Sequence, residues 1–121
     1  MKRLAMAMLV AAAPAFAQTP SPPDSWQQRG TAELLLLDKI RAQPSTLQVK
    51  VGQTATFGTL TILVKGCAAR PPDLPQDYAA FLEVADSRPS SAGFRGWMLA
   101  NTPSVSQLEH PIYDLRLVAC R

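Results

Sequence analysis

The chain has 121 residues, with 12 Lys and Arg, 9 Asp and Glu and a single histidine, which gives a formal net charge of +3. The basic residues form no run and do not alternate with aromatic residues, which argues against nucleic acid as a partner. A chain of this length suits one small domain and not two.

The first 17 residues have the pattern of a secretory signal peptide. Residues 1–3 are a basic start, residues 4–13 are apolar, and residues 15–17 read AFA, the form of an A-x-A cleavage site. The apolar stretch is shorter than the roughly 20 residues that a membrane-spanning helix needs, and no later stretch approaches that length. We therefore predict cleavage after Ala17 and a periplasmic product that is not an integral membrane protein.

Residues 18–30 are rich in Pro, Ser and Gln, with Trp26 as the only bulky side chain. This composition predicts a flexible N-terminal segment. The domain organisation that follows is a signal peptide at 1–17, a flexible segment at 18–30 and a single β domain at 31–121. Without the signal peptide, 121 − 17 = 104 residues remain, and the formal charge falls to 10 − 9 = +1 because Lys2 and Arg3 are lost.

From residue 31 the pattern changes to short strand-like runs. TAELLLLDKIR is apolar and ends in charges, STLQVKV alternates between apolar and polar residues, and TATFGTLTILVKGC follows with a break at Gly58. In its second half, Leu60, Ile62 and Val64 share one face. This alternation indicates antiparallel strands with one buried face.

The second half of the chain begins with a proline loop, Arg70 to Asp77, which is incompatible with a helix or a central strand. This loop is either functional or variable surface. YAAFLEVAD predicts a strand, although its alanines leave a short helix open, and FRGWMLA predicts another strand. NTPSVSQLEH favours one or two helical turns, with Thr102 as N-cap or with a capping box from Ser104 to Gln107. IYDLRLVAC is the closing strand.

Two cysteines, Cys67 and Cys120, lie in a chain that we expect to be exported. An even count in an oxidising compartment predicts a disulfide, since a redox or metal site would call for a C-x-x-C or a second histidine. The bridge would close a 54-residue loop and contribute on the order of 4 kcal/mol. Strand phase places both sulfurs on the less apolar face, hence near a sheet margin, unless a bulge at Gly66 resets the phase.

The order of these segments resembles a family of small exported bacterial proteins catalogued as domain of unknown function 2155. The resemblance rests on GQTATFGTLTILVKGC, the proline loop, AAFLEV, GWMLANTPSVSQLEHPIYD and the terminal cysteine, and it covers roughly residues 34–120. This chain has Leu99 where usual members carry Phe, and its loop after the first cysteine is less charged. The resemblance implies export and a paired cysteine, and it implies no established activity.

The only histidine, His110, lies between Glu109 and Pro111 and close to Tyr113 and Asp114. These residue types can perform acid–base chemistry, and a Ser-His-carboxylate set could be drawn with Ser104 or Ser106. The chain has no G-x-S-x-G motif, however, and neighbours in an extended segment point to opposite faces. We therefore expect no catalytic residue, and we expect His110 and Tyr113 to bond loop backbone against the final strand.

Trp97 and Met98 in GWMLA are candidates for an exposed binding patch, but a Trp on a strand of a small β domain is more often part of the core, and this is the interpretation that we favour. The chain has eight aromatic residues, one of them in the predicted signal peptide, which is few for a carbohydrate platform. The carboxylates are scattered, and we predict no metal and no cofactor.

These observations predict an all-β domain, a small antiparallel β-sandwich or open barrel of about six to eight strands, with one short helical turn before the last strand and one disulfide. The function that we predict is that of a non-catalytic periplasmic interaction or accessory module that docks on an envelope protein. The first alternative is a small-ligand or glycan-binding domain that uses the proline loop and Trp97. The second is a hydrolase-like enzyme that uses His110. The partner, the strand order and the oligomeric state stay open at this point.

Overall fold

Eight strands and one turn of 3-10 helix form the regular structure of the computed structural model, which describes residues 25–89, 91 and 93–121. The strands are β1 (Gln27–Gln28), β2 (Thr31–Asp38), β3 (Gln43–Lys50), β4 (Thr54–Phe57), β5 (Leu60–Ala69), β6 (Tyr78–Asp86), β7 (Phe94–Leu99) and β8 (Tyr113–Cys120). The 3-10 turn, Pro103–Val105, precedes β8 and has Thr102 at its N-cap. The predicted all-β class and the helical turn are confirmed. Within the described ranges, no helix has the length and apolar character needed to cross a membrane.

The strands form two antiparallel sheets that do not close into a barrel. In the larger sheet the order is β1-β5-β6-β7, and β4 pairs with the first half of β5 while β1 pairs with its end. In the smaller sheet the order is β3-β2-β8. Contacts of β8 with β6, and of β2 and β8 with β5, place the two sheets face to face. The result is an open sandwich.

The core lies between the two sheets and is built from the alternating positions of each strand. The predicted face of Leu60, Ile62 and Val64 is buried against side chains of the smaller sheet. Each large apolar side chain buried in this way contributes about 1.5–3 kcal/mol relative to exposure. The largest fully buried side chains are Leu34, Leu36, Leu60, Ile62, Leu82, Met98, Leu115 and Val64.

Two β-bulges determine where the cysteines lie. The register of β5 against β6 skips Lys65, and the register of β8 against β2 skips Val118. Each extra residue reverses the alternation that follows it, so Cys67 and Cys120 turn onto the buried face, where each is 3% exposed. The bulge named above as the exception thus lies directly before Gly66, and the position near a sheet margin, which was predicted for an unbroken phase, does not hold.

The predicted disulfide between Cys67 and Cys120 is confirmed, with a Cα–Cα distance of 5.6 Å. Cys67 belongs to β5 in the larger sheet, and Cys120 ends β8 in the smaller one. The bond therefore links the two sheets through the core.

The sheet begins before the predicted domain boundary at residue 31. Gln27–Gln28 pair with Ala68–Ala69, and the N–H of Arg29 donates to the carbonyl of Cys67 at 2.8 Å. Residues 27–29 were predicted to be flexible, and their pairing with β5 corrects this part of the prediction. A strand of two glutamines is too short to leave a recognisable alternation. The predicted signal peptide and residues 18–24 lie outside the described residues.

The proline loop is held at its base by both backbone and side-chain bonds. The N–H of Arg70 donates to the carbonyl of Asp77 at 2.9 Å. The buried carboxylate of Asp77 accepts from the N–H groups of Tyr78 at 2.8 Å and Asn101 at 3.0 Å. The loop is thereby tied to the connection that follows β7.

Candidate functional site

A buried histidine and a buried carboxylate meet where β6 ends and the chain enters β8. Nε2 of His110 lies 2.6 Å from Oδ2 of Asp86, and the side chains of both residues are fully buried. Nδ1 of His110 accepts from the N–H groups of Ile112 at 3.0 Å and Tyr113 at 3.2 Å. Because Nδ1 is an acceptor, the imidazole carries its proton on Nε2 and donates it to Asp86.

The carboxylate of Asp86 accepts hydrogen bonds at both of its oxygens. Its Oδ1 accepts from the backbone N–H of Arg88 at 2.9 Å, and Nη2 of Arg88 lies 3.4 Å from its Oδ2. The hydrogen bond from the Arg88 backbone, then the one from His110, hold the pKa of Asp86 well below its ordinary value, and the Arg88 charge adds to this. These interactions outweigh the opposing effect of burial.

Tyr113 connects the same corner to the turn between β4 and β5. Its hydroxyl accepts from the N–H of Thr59 at 3.3 Å, and its ring meets Phe57 edge to face at a centroid distance of 5.8 Å. The hydroxyl of Thr59 is buried near Asp86 without a hydrogen bond of ordinary geometry. We refer to Thr59, Asp86, Arg88, His110 and Tyr113 together as the His110 corner.

The His110 corner brings together only part of the residues that the sequence placed near His110. Glu109 is exposed and makes no contact with the imidazole, and Asp114 pairs instead with Arg116 at 3.4 Å. Among the described contacts, no serine reaches His110, so the Ser-His-carboxylate set considered above is not assembled. Both ring nitrogens bond within the protein, which leaves no free lone pair to accept a proton from a substrate.

Trp97 and Met98 point to opposite sides of the larger sheet. Met98 is fully buried in the core, so of its two candidate roles the structural one applies and the exposed binding patch does not. Trp97 lies half-buried on the outer side, where its ring meets Phe81 edge to face at a centroid distance of 5.5 Å. The alternation of a strand accounts for this division.

A cluster of charged side chains lies beside Trp97 on the outer side of the larger sheet, where Glu83 and Arg95 face each other across β6 and β7. Nε of Arg95 and Nζ of Lys65 lie 3.0 Å and 3.2 Å from the same oxygen of Glu83. The hydrogen bond from Arg95, then the one from Lys65, lower the pKa of Glu83. The guanidinium of Arg95 also lies 5.2 Å from the Phe81 ring centroid. We call this surface, formed by Lys65, Phe81, Glu83, Arg95 and Trp97, the Trp97 face.

The part of the chain that the structure describes contains no group of three or more His, Cys, Asp or Glu side chains that could hold a metal ion. The prediction of no metal was made from scattered carboxylates, and it stays a prediction for the chain as a whole.

Three residues of the His110 corner were not identified from the sequence, namely Thr59, Arg88 and Asp86, and Asp86 is the one that accepts a hydrogen bond from the imidazole. It has the same strand phase as Leu82 and Val84, so it points inward at the end of β6. A carboxylate on the apolar phase of a strand needs a partner, because an unpaired buried charge is costly. That phase was the available indication, and it does not reveal that the partner is His110, 24 residues further along the chain.

The fold, with its buried His110 corner and its outer Trp97 face, is that of a small, disulfide-linked β-sandwich domain. The chain belongs to the family described as "Uncharacterized protein conserved in bacteria (DUF2155)", whose model matches residues 32–120. An uncharacterized protein of Rickettsia prowazekii (strain Madrid E) is 28% identical over 92 residues, which cover 73% of this chain and 59% of the relative. The chain thus spans about 59% of the length of that relative. No solved structure matches the chain.

Proposed function

We propose that this protein is a non-catalytic interaction module of the bacterial periplasm that docks on an envelope protein through the Trp97 face. The observation that carries the proposal is the half-buried Trp97 next to the charged cluster of Lys65, Glu83 and Arg95 on the outer side of the larger sheet. Trp and Arg are the residue types most often found at the energetic centres of protein interfaces. The pattern of residues 1–17 supports the periplasmic location.

The geometry of the His110 corner supports a structural role and not a catalytic one. The imidazole is fully buried, donates to Asp86 and accepts from two backbone N–H groups. A general base has to reach the proton of a substrate, directly or through one water molecule. This histidine instead fixes the path of the chain into β8.

The charge of the Trp97 face favours a partner with an acidic or mixed surface. Two cations, Lys65 and Arg95, share the single carboxylate of Glu83, so the face has an excess of one positive charge. Complementary charge at the edge of an interface mainly speeds association and selects the partner. A glycan is the weaker alternative, because Phe81 is only 3% exposed and leaves Trp97 as the one ring of this face for a sugar to stack on.

The test compares capture of envelope proteins by the wild type and by Arg95→Glu. Arg95 is 62% exposed, so the substitution reverses the charge of the face without entering the core. After mild cross-linking of native envelope, we expect a stoichiometric companion with the wild type and its loss with Arg95→Glu. Purification and mass spectrometry measure this.

Arg116→Glu is the matched control, since Arg116 is 59% exposed and pairs with a single carboxylate, that of Asp114 in the same strand. It should retain the companion. Equal capture by the two variants, or recovery of the folded wild type alone, would contradict the proposal. Quenching of Trp97 fluorescence by a sugar in the second case would favour the glycan alternative.

A further inference from the structure

A polar cleft of about 160 Å³ opens at the end of the sandwich away from the His110 corner. It lies beside the start of β6 and the end of β8, and its walls include Gln27, Arg29, Arg70, Gln76 and Tyr78. The proline loop thus supplies part of a cavity. The cleft is separate from the Trp97 face, and what it binds does not depend on the docking function proposed above.

Arg29 brings an uncompensated positive charge to this cleft. Among the described residues, its guanidinium makes one hydrogen bond, from Nη2 to Oε1 of Gln27 at 3.0 Å, and it has no carboxylate within ion-pair distance. The backbone N–H of Arg29 donates to Cys67, so the residue is anchored next to the disulfide. Four of the five guanidinium N–H groups are left without a protein acceptor among these residues.

Arg70 adds a second guanidinium whose charge is only partly balanced. Its Nη2 lies 3.7 Å from Oδ2 of Asp77, whereas Oδ1 of that carboxylate takes shorter bonds from backbone N–H groups. Its Nη1 reaches the carbonyl of Pro75 at 3.4 Å, and its Cζ lies 5.2 Å from the Trp26 ring centroid. This cation–π contact leaves N–H donors of the guanidinium available.

Tyr78 and Gln76 add two further side chains with hydrogen-bond donors to this cleft. The hydroxyl of Tyr78 forms no hydrogen bond with any described residue, and Nε2 of Gln76 has only a long contact of 3.4 Å to a backbone carbonyl. The acceptor of Gln27 is already used by Arg29. We propose that this cleft binds a small oxyanion group, a carboxylate or a phosphate, between Arg29 and Arg70. Guanidinium groups bind both anions through paired hydrogen bonds.

The proposal can be tested by NMR titration of the oxidised, isotope-labelled protein with sodium acetate and, separately, with sodium phosphate at constant ionic strength. We expect saturable shifts of the amide resonances of residues 27–29, 70 and 76–78 with at least one anion. Saturation by acetate alone identifies a carboxylate ligand, and saturation by phosphate alone identifies a phosphate ligand. Uniform, unsaturable shifts with both anions would overturn the proposal.

Variants locate the binding. Arg29→Gln should raise the dissociation constant about tenfold, the effect expected for loss of one charged hydrogen-bonding group. Arg70→Gln should act in the same direction. Arg41→Gln, an exposed arginine at the opposite end of the sandwich, makes the same charge change and should leave binding unaltered. The side chain of Arg29 is exposed and bonds only to Gln27, so Arg29→Gln should leave the fold intact. This variant therefore tests the site even if Arg70→Gln loosens the proline loop. An unchanged dissociation constant in Arg29→Gln would refute the assignment.

Discussion

Asp86 stands at the last inward-facing position of β6, where apolar side chains give way to the His110 corner. Its carboxylate is hidden from solvent and takes hydrogen bonds from one backbone N–H group and one imidazole. A buried charge of this kind stabilises a fold only while its partners stay in place, since each partner left unpaired carries a desolvation cost. The corner therefore acts as a single unit.

We expect Asp86→Asn to lower the free energy of unfolding at neutral pH. We also expect the free energy of unfolding of the variant to depend less on pH in the acid range. The folded pKa of Asp86 lies below its ordinary value of 3.8, so ionised Asp86 contributes stability above that value. The contribution is lost as the pH falls below 3.8 toward the folded pKa. Urea unfolding at pH 7 and through the acid range measures both effects in the wild type and the variant.

Asp114→Asn serves as the control because it removes the same charge from an exposed pair with Arg116. Exposed pairs contribute little, about 0–1 kcal/mol, so its unfolding curve should stay close to that of the wild type. Equal stability of Asp86→Asn and the wild type at pH 7 would show that the corner is not a stabilising unit.

The chemistry of His110 was predictable from sequence only in part. The proline after it indicates extended geometry and a change of direction, and the expected opposite orientation of Glu109 and His110 agrees with exposure of the first and burial of the second. The partner of the imidazole was not predictable, because Asp86 lies on a different strand and nearer carboxylates compete for the assignment. Pairings of this kind depend on strand order, which local patterns do not contain.

At the level of the elements, the turn between β4 and β5 shows how one glycine leaves room for a core side chain, that of Tyr113. Phe57 pairs with Leu60, so Gly58 and Thr59 form a two-residue turn, and Gly58 has a φ of +58°. Glycine at the first position of such a turn accepts the positive φ without strain. The space beside it is occupied by the hydroxyl of Tyr113.

Gly58→Ala should destabilise the protein by more than about 1–2 kcal/mol, because the methyl group adds a steric overlap with Tyr113 to the backbone cost of a positive φ. Gly52→Ala is a matched comparison: Gly52 has a φ of +87° and open space around it, so only the backbone cost applies. Denaturant unfolding of the two variants isolates the contribution of the Tyr113 contact. Equal losses in the two variants would contradict this account.

Strand positions were predictable from alternation, whereas a bulge could be anticipated only at Gly66 and not at Val118. The face of Leu60, Ile62 and Val64 was predicted correctly because the period of two is unbroken up to that point. Lys65 and Val118 interrupt the period, and either residue type is equally compatible with a regular strand. The bulges result from fitting β5 and β8 to their neighbours, so the burial of both cysteines could be deduced only from the paired strands.

For the whole molecule, the disulfide is the only covalent cross-link between side chains of the two sheets among the described residues. We expect Cys67→Ala/Cys120→Ala to lower the free energy of unfolding by about 2–5 kcal/mol and the melting temperature by on the order of 15 °C. The loss reflects the greater freedom of the unfolded chain, since the bond spans 53 positions of sequence. Thermal melts followed by circular dichroism measure the effect.

The wild type, melted after reduction in denaturant and refolding with reductant, should approach the melting temperature of the double variant. Because each cysteine is 3% exposed, reductant added to the folded protein should act slowly. An unchanged melting temperature in the double variant would refute a stabilising role for the bond.

The order of strands in the smaller sheet also determines at which stage of folding that sheet can be completed. Strand β2 lies between β3, which follows it in sequence, and β8, which comes after all other described strands. Until β8 is in place, one edge of β2 is unpaired and Cys67 lacks its disulfide partner. Earlier strands can therefore form only a provisional assembly. We therefore expect the smaller sheet to be completed only when β8 pairs with β2.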